Sequence, residues 1–235
     1  MFSHEGPART ARSNSILAGY LAFVAGFTNT AGLTLIGAFT SHVTGSVGRV
    51  SSSLAQGQPA AAAGAAVLVA LFLGGAVVAS LLVESNLFRR TSSAYGAALL
   101  VQGSLLAVFI FTGAGGLLSF SMGMQNSLVT RLSGSVVRTT HLTGVVTDLG
   151  IEIARWLRWR ATRLGAGAAG RNPPARPAPV RSLLLLTVAL AFTLGGLAGA
   201  LAAPSWGTWS IAVPSAAILA AAIYAVAAGP RQPAA

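Results

Sequence analysis

Residues 94–130 contain no charged side chain, and most of them are apolar. The stretch is too long for one bilayer-spanning helix, which needs about 20 residues, and "TGAGG" at 112–116 is the natural place for a turn. Six segments of the chain are long and uncharged enough to cross a membrane: 15–38, 60–83, 94–112, 115–133, 182–203 and 206–228. The sequence therefore predicts an all-α integral membrane protein, with residues 1–235 forming a single membrane domain.

The composition excludes most other classes of protein. The chain is 54% hydrophobic and only 8% charged, whereas about a quarter of the residues of a soluble domain are charged. It has no cysteine, which excludes disulfides and thiol chemistry. No motif of a hydrolase, metalloprotease, phosphate-binding or dinucleotide-binding protein occurs in it. We therefore expect neither an enzyme nor a cofactor or metal site.

The positive charge predicts how the chain is oriented. The net charge is +11, and all 15 basic residues are arginines, most of them beside the ends of apolar segments. This distribution is typical of membrane orientation and of attraction to anionic lipid headgroups, not of nucleic-acid binding. With the N-terminus in the cytoplasm, only Arg49 falls on the outer side. We expect both termini in the cytoplasm, and the first apolar segment is too long for a cleaved signal peptide.

Residues 145–181 are the only sizeable part outside the predicted spans. The segment 145–164 is expected to form an amphipathic helix in the membrane interface, and the remainder, rich in Gly, Ala and Pro, a flexible linker. The apolar stripe of this helix consists of Val146, Leu149, Ile153, Trp156 and Leu157.

Two acidic residues of that helix could have a role. Asp148 and Glu152 could form interfacial ion pairs with Arg138 and Arg155. Alternatively, Asp148 could share a helix face with His141 and relay protons.

Similar segments occur in the two halves of the chain. "TSHVTG" resembles "TTHLTG", "GFTN" resembles "GMQN", and "FLGGAVVA" resembles "TLGGLAGA"; these pairs lie at 40–45 and 139–144, 26–29 and 123–126, and 72–79 and 193–200. The halves are then about 15–113 and 114–228, with three spans each. Because three is odd, the second copy must insert upside down. The sequence predicts a 3+3 inverted repeat, which is common among secondary transporters.

Two long stretches also carry a family resemblance. "GFTNTAGLTLIGAFTSHVTGSV" (26–47) and "FSMGMQNSLVTRLSGSVVRTTHLTGVVTDLG" (120–150) resemble the YoaK-like family of uncharacterised bacterial inner-membrane proteins. The resemblance implies a multi-span protein of the inner membrane and brings no established activity with it.

The polar residues inside or beside the spans are the candidate functional residues. His42 and His141 could converge from the two copies to exchange protons or bind a metal, or each could simply lie at a turn beside Thr and Ser caps. The amides of Asn29, Gln125 and Asn126 could hold helices together or line a polar path.

We hypothesise that the two hexapeptides form one site. The candidate substrate-binding residues are Asn29, Thr40, His42, Thr44, Gln125, Asn126, Thr140, His141, Thr143 and Asp148. The residues expected to serve bends or close helix contacts are Gly45, Gly144, Gly74, Gly75, Gly195, Gly196 and Gly199. The expected function is transport of a small polar or ionic solute. The alternative is a membrane scaffold that binds lipid or a partner without transport, and a homodimer through small-residue faces is expected in addition.

Overall fold

The computed structural model describes residues 10–85, 91–134, 139–163 and 175–227. Within these ranges the chain is helical, with no β-strand. The helices are α1 (Ala11–Ile36), α2 (Val43–Ala55), α3 (Pro59–Glu84), α4 (Thr91–Thr112), α5 (Gly116–Leu132), α6 (Leu142–Arg163), α7 (Pro179–Trp206) and α8 (Ala212–Ala227), with a 3₁₀ turn, Gly207–Ile211, between α7 and α8.

Local sequence explains several helix ends. The Thr10 side chain accepts a hydrogen bond from the Ser13 N–H and so caps α1, which ends at Gly37 in the left-handed conformation (φ 69°). The predicted turn at 112–116 is present, with Gly113 at φ 65°. The predicted spans 182–203 and 206–228 leave a break at 204–205, but α7 continues through Pro204 to Trp206 and the chain turns at Gly207 instead. A proline removes one N–H donor from a helix, but close to its C-terminal end the helix can continue in spite of this loss.

Four segments are long and apolar enough to cross a membrane: Arg12–Ile36, Pro59–Glu84, Ser92–Thr112 and Pro179–Ala227, the last of which contains both α7 and α8. Helix α5 has 17 residues and is shorter than these. Leucines and valines lie exposed on the outside of α3 and α7, and Leu73, Leu81 and Leu201 are at least 60% exposed. An exterior of this kind is suited to lipid, and the chain is a helical membrane protein.

The helices pack in a pattern that repeats between the two halves. Helix α1 packs on α7, α3 on α5, α4 on α8, α2 on α3, and α6 on α7. If α1 is exchanged with α5, α2 with α6, α3 with α7 and α4 with α8, the contact of α1 with α7 becomes that of α5 with α3, and the contact of α2 with α3 becomes that of α6 with α7. The contact of α4 with α8 becomes itself, so the whole set is preserved.

The two main helix crossings are also alike in detail. A Cβ at Gly75 of α3 would overlap the Phe120 carbonyl oxygen of α5, and one at Gly123 would overlap the Phe72 carbonyl oxygen. At the crossing of α1 and α7, Gly26 lies against the Phe192 carbonyl and Gly195 against the Phe23 carbonyl. Each of these four helices therefore carries Phe-x-x-Gly at its closest approach, where only glycine leaves room for the other backbone.

This geometry corrects the pairing of the glycines. The sequence pairs Gly74 with Gly195, but Gly75 makes the contact equivalent to that of Gly195, and Gly74 only touches the Phe120 ring. Gly199 contacts the Phe27 carbonyl and Gly196 the Thr30 side chain, both on α1. The small-residue face of α7 is therefore used within the chain and is not free to hold a second copy. The homodimer itself stays a prediction.

Helix α6 covers the segment expected to form an interfacial helix, and it also contacts α7. Val146, Ile153 and Leu157 of the predicted apolar stripe are exposed, whereas Glu152 is only 2% exposed. The Glu152 carboxylate lies 2.7 Å from Arg155 and 3.6 Å from Arg181 of α7. An ionic contact thus docks α6 on α7. Three residues of the stripe face outward, whereas Leu149 packs against the buried core. Residues 164–174 of the predicted linker, and Arg138, lie outside the described residues.

Candidate functional site

The two hexapeptides occupy equivalent positions in the chain trace. Each follows a long helix, α1 or α5, and each histidine immediately precedes a second helix, because α2 begins at Val43 and α6 at Leu142. The chain therefore breaks before His42 and not at Gly45, which lies in the first turn of α2 and has no positive φ. Gly144 occupies the same place in α6. The predicted bends at these two glycines are wrong.

The role of Gly45 and Gly144 is to leave room for the imidazoles. A Cβ at Gly45 would collide with the His42 ring, and one at Gly144 would lie 2.6 Å from Nδ1 of His141. Each histidine precedes its glycine by three residues, and its ring therefore lies against the first turn of the helix that follows. The His42 ring also makes an edge-on contact with Phe39, with centroids 6.0 Å apart.

Side-chain amides of the long helices hold both hexapeptides. Oδ1 of Asn29 accepts hydrogen bonds from the backbone N–H and the hydroxyl of Ser41, both at 3.0 Å. Oδ1 of Asn126 accepts one from the hydroxyl of Thr140 at 2.5 Å. The hydroxyls thus bind the preceding helix instead of capping the following one, and α2 has no side-chain cap at its start. The interpretation of these hydroxyl residues as helix caps is therefore wrong for Ser41 and Thr140.

One cavity of about 600 Å³ lies between the two hexapeptides. Twelve of its lining residues form six pairs at equivalent positions of the two halves: Asn29 and Asn126, Ser41 and Thr140, His42 and His141, Val43 and Leu142, Thr44 and Thr143, and Phe72 and Phe192. Phe39 and Thr130 complete the described wall. The structure therefore brings both histidines to the same cavity, with one copy of each paired element on either side.

Three of the ten predicted site residues lie elsewhere. Thr40 is buried beside Gly32, behind the cavity wall. Gln125 is fully buried, where it donates to the Leu21 carbonyl at 2.8 Å and accepts from Gln102 at 3.0 Å, so it holds helices together. Asp148 is on the outer part of α6, 3.5 Å from Arg181, and no contact links it to His141. The other seven residues line the cavity.

Sequence reasoning missed several lining residues. Phe72 and Phe192 each precede, by three positions, a glycine that lies at a helix crossing. This Phe-x-x-Gly spacing is the sequence pattern that could have identified them. Ser41 belongs to the first hexapeptide, where the pattern indicates only a helix cap. For Phe39 and Thr130 we find no sequence signal.

The described wall of the cavity carries hydrogen-bond donors but no carboxylate and no arginine. The side-chain amides of Asn29 and Asn126 differ in whether their NH₂ group has an acceptor among the described residues. The Asn126 amide donates to the Met122 carbonyl at 2.8 Å, within its own helix. The Asn29 amide donates to no described residue, although Asn29 is 8% exposed and lines the cavity. Within the described ranges, no group of three or more His, Asp or Glu residues could hold a metal ion.

Comparison with known proteins identifies the family but no characterised relative. The chain belongs to the family described as "Protein of unknown function (DUF1275)", whose model matches residues 17–224. No curated protein matches the chain, and no solved structure does.

Proposed function

Starting from membership of this family of unknown function and from the apolar helices of the chain, we propose that it is a transporter-like protein that moves a small polar or ionic solute. The observation that carries the proposal is the cavity of about 600 Å³ between the two hexapeptides. Its size is within the usual range for small-molecule sites, about 300–1,000 Å³. Polar side chains that converge inside a lipid-facing bundle are typical of a solute path, because they are costly to keep there for packing alone.

The proposed architecture is six spans in two inverted halves, in a bacterial inner membrane with both termini in the cytoplasm. Helices α1, α3, α4, α5, α7 and α8 correspond to the six predicted segments. Three features support two equivalent halves: the set of five helix contacts that is preserved when the halves are exchanged, the four Phe-x-x-Gly motifs at the two crossings, and the six residue pairs of the cavity. The position of all the arginines but Arg49 supports the orientation.

An inverted repeat also supplies a mechanism. When the two halves adopt slightly different conformations, the cavity between them opens to one side of the membrane. If they exchange these conformations, the same cavity opens to the other side. The hexapeptides and the first turns of α2 and α6 are the paired parts of the wall, and we propose that they close behind the solute.

The direct test compares solute uptake and efflux between cells that lack the protein and cells that overproduce it, by untargeted metabolite analysis. A transporter changes the distribution of at least one small polar solute, and the double variant His42→Ala, His141→Ala abolishes that change. Matched controls are Ser51→Ala and Thr147→Ala, at exposed sites on α2 and α6. Equal profiles in all strains would contradict transport.

A second candidate is a scaffold that binds anionic lipid. It is favoured by a separate cavity of about 430 Å³ that includes Arg155, Arg158, Arg176 and Arg181 in its wall, beside the outward-facing residues of the apolar stripe of α6. In that case, the double variant Arg158→Ala, Arg176→Ala should lose phosphatidylglycerol retained in native mass spectrometry and leave solute movement unchanged. Changes in the hexapeptides should have the opposite effects.

A further inference from the structure

The cavity wall offers donors that have no acceptor within the chain. Asn29 is fixed through its Oδ1, which accepts twice from Ser41 at 3.0 Å. This leaves its NH₂ group without a described partner, in a side chain that is more than nine-tenths buried and lines the cavity. The NH₂ group is therefore open to a bound solute with an acceptor oxygen, which could accept a hydrogen bond from it.

Two helix N-termini meet at the same cavity. The first two residues of α2, Val43 and Thr44, line it, and so do the first two residues of α6, Leu142 and Thr143. The first N–H groups of a helix have no partner in the helix, and they carry the positive end of its dipole. Because α2 has no side-chain cap, its N–H groups remain available to a ligand.

The other residues of the cavity wall indicate which class of ligand the cavity can bind. No described lining residue is acidic, so nothing there would compensate an ammonium group. The imidazoles of His42 and His141 and the hydroxyls of Thr44 and Thr143 can each donate to an oxyanion. Phe39, Phe72 and Phe192 give the same wall an apolar part, which suits the carbon skeleton of an organic molecule and not a bare inorganic ion.

We infer that the cavity binds a small organic anion, with its carboxylate between the two helix N-termini and the Asn29 amide, and its apolar part against Phe72 and Phe192. This inference rests on the proposed function, since it names the class of solute for the same cavity. In the inverted architecture the carboxylate would contact equivalent donors from both halves. The Asn29 amide would be the one strong contact that the second half does not duplicate.

Binding can be measured without assuming transport. The probes are lactate, succinate and benzoate, each compared with its neutral amide and its amine counterpart (1-amino-2-propanol, 1,4-diaminobutane and benzylamine) at constant ionic strength. The readout is the melting temperature of the full-length protein in nanodiscs, which rises with the concentration of a ligand that binds the native state. At least one carboxylate is expected to raise it, and the corresponding amide and amine are not.

The variant Asn29→Asp tests the proposed contact. An aspartate keeps the oxygen that accepts from Ser41 but replaces the donor by a negative charge, so the carboxylate should bind about tenfold more weakly or worse. Gln58→Glu is the matched control, an amide-to-acid change at an exposed site at the start of α3. Binding of amides or amines as strong as that of carboxylates, no binding by any carboxylate, or no effect of Asn29→Asp would overturn the inference.

Flux in proteoliposomes separates this inference from the proposed function. Carboxylate binding without movement of any solute supports the anion site and contradicts transport. Movement of a neutral or cationic solute without carboxylate binding supports transport and contradicts the anion site.

Discussion

Single glycines decide how closely the helices approach. Replacing Gly75 or Gly195 by alanine places a Cβ against a carbonyl oxygen of the neighbouring helix, and the backbones must separate. We expect each change to destabilise the protein by about 1–3 kcal/mol, the usual range for overpacking. Gly74→Ala is the matched control, because its Cβ would be in ordinary contact with Phe120 at 3.5 Å. Thermal unfolding in detergent measures the difference, and equal stability of Gly74→Ala and Gly75→Ala would contradict the crossing geometry.

The glycines after the histidines act differently, because they affect the site and not the helix crossings. Gly45→Ala and Gly144→Ala should displace the His42 and His141 rings, which lie against these positions. Gly48→Ala on α2 and Gly150→Ala on α6 are controls, since a Cβ at either meets open space. We expect solute movement to fall in the first pair of variants and to persist in the controls, while melting temperatures stay within a few degrees. A loss of flux in the controls as well would argue against a specific role for the rings.

At the scale of elements, α6 shows what a local pattern predicts and what it does not. The periodicity predicted a helix near 145–164 with an apolar stripe, of which Val146, Ile153 and Leu157 are exposed, but not the ionic contact that docks this helix on α7. In lipid the apolar side can face outward, and an ionic contact can hold the helix from the other side. Such a contact depends on a partner more than 20 residues along the chain, Arg181, which the local pattern of 145–164 does not contain.

The docking of α6 can be tested with its two acidic residues, which share Arg181 as a partner. Glu152 is 2% exposed, and removing its charge leaves Arg155 and Arg181 without their buried acceptor. Asp148 is more exposed, and its contact at 3.5 Å is of the surface kind that contributes about 0–1 kcal/mol. We expect Glu152→Gln to speed hydrogen exchange of 142–163 strongly, and Asp148→Asn to change it little. The reverse order would mean that α6 docks in another way.

For the whole molecule, the sequence predicted the helical membrane fold, because lipid solvation leaves long uncharged runs that can be counted, whereas the number of six spans stays a prediction beside the four long apolar segments of the described residues. The similarity of the two halves predicted ten site residues, and seven of them line the cavity. The sequence could not predict helix α2 directly after His42, or the position of Gln125 between helices. These depend on contacts across the bundle, such as that of Gln125 with Leu21, which no local pattern records.

The topology of six spans can be tested directly, because the natural chain has no cysteine. Single cysteines at Gln56, between α2 and α3, and at Ala114, between α4 and α5, should react with a membrane-impermeant maleimide added outside the cell. A cysteine at Ala178, just before α7, should react only after the membrane is opened. This pattern follows if α1 runs outward and each later span reverses direction, with the arginine-rich loop before α7 kept in the cytoplasm. If α5 does not span the membrane, Ala114 and Ala178 would lie on the same side and label alike. Because an inverted repeat needs an odd number of spans in each half, that single result would also remove the basis for the inverted halves and for alternating access through the cavity.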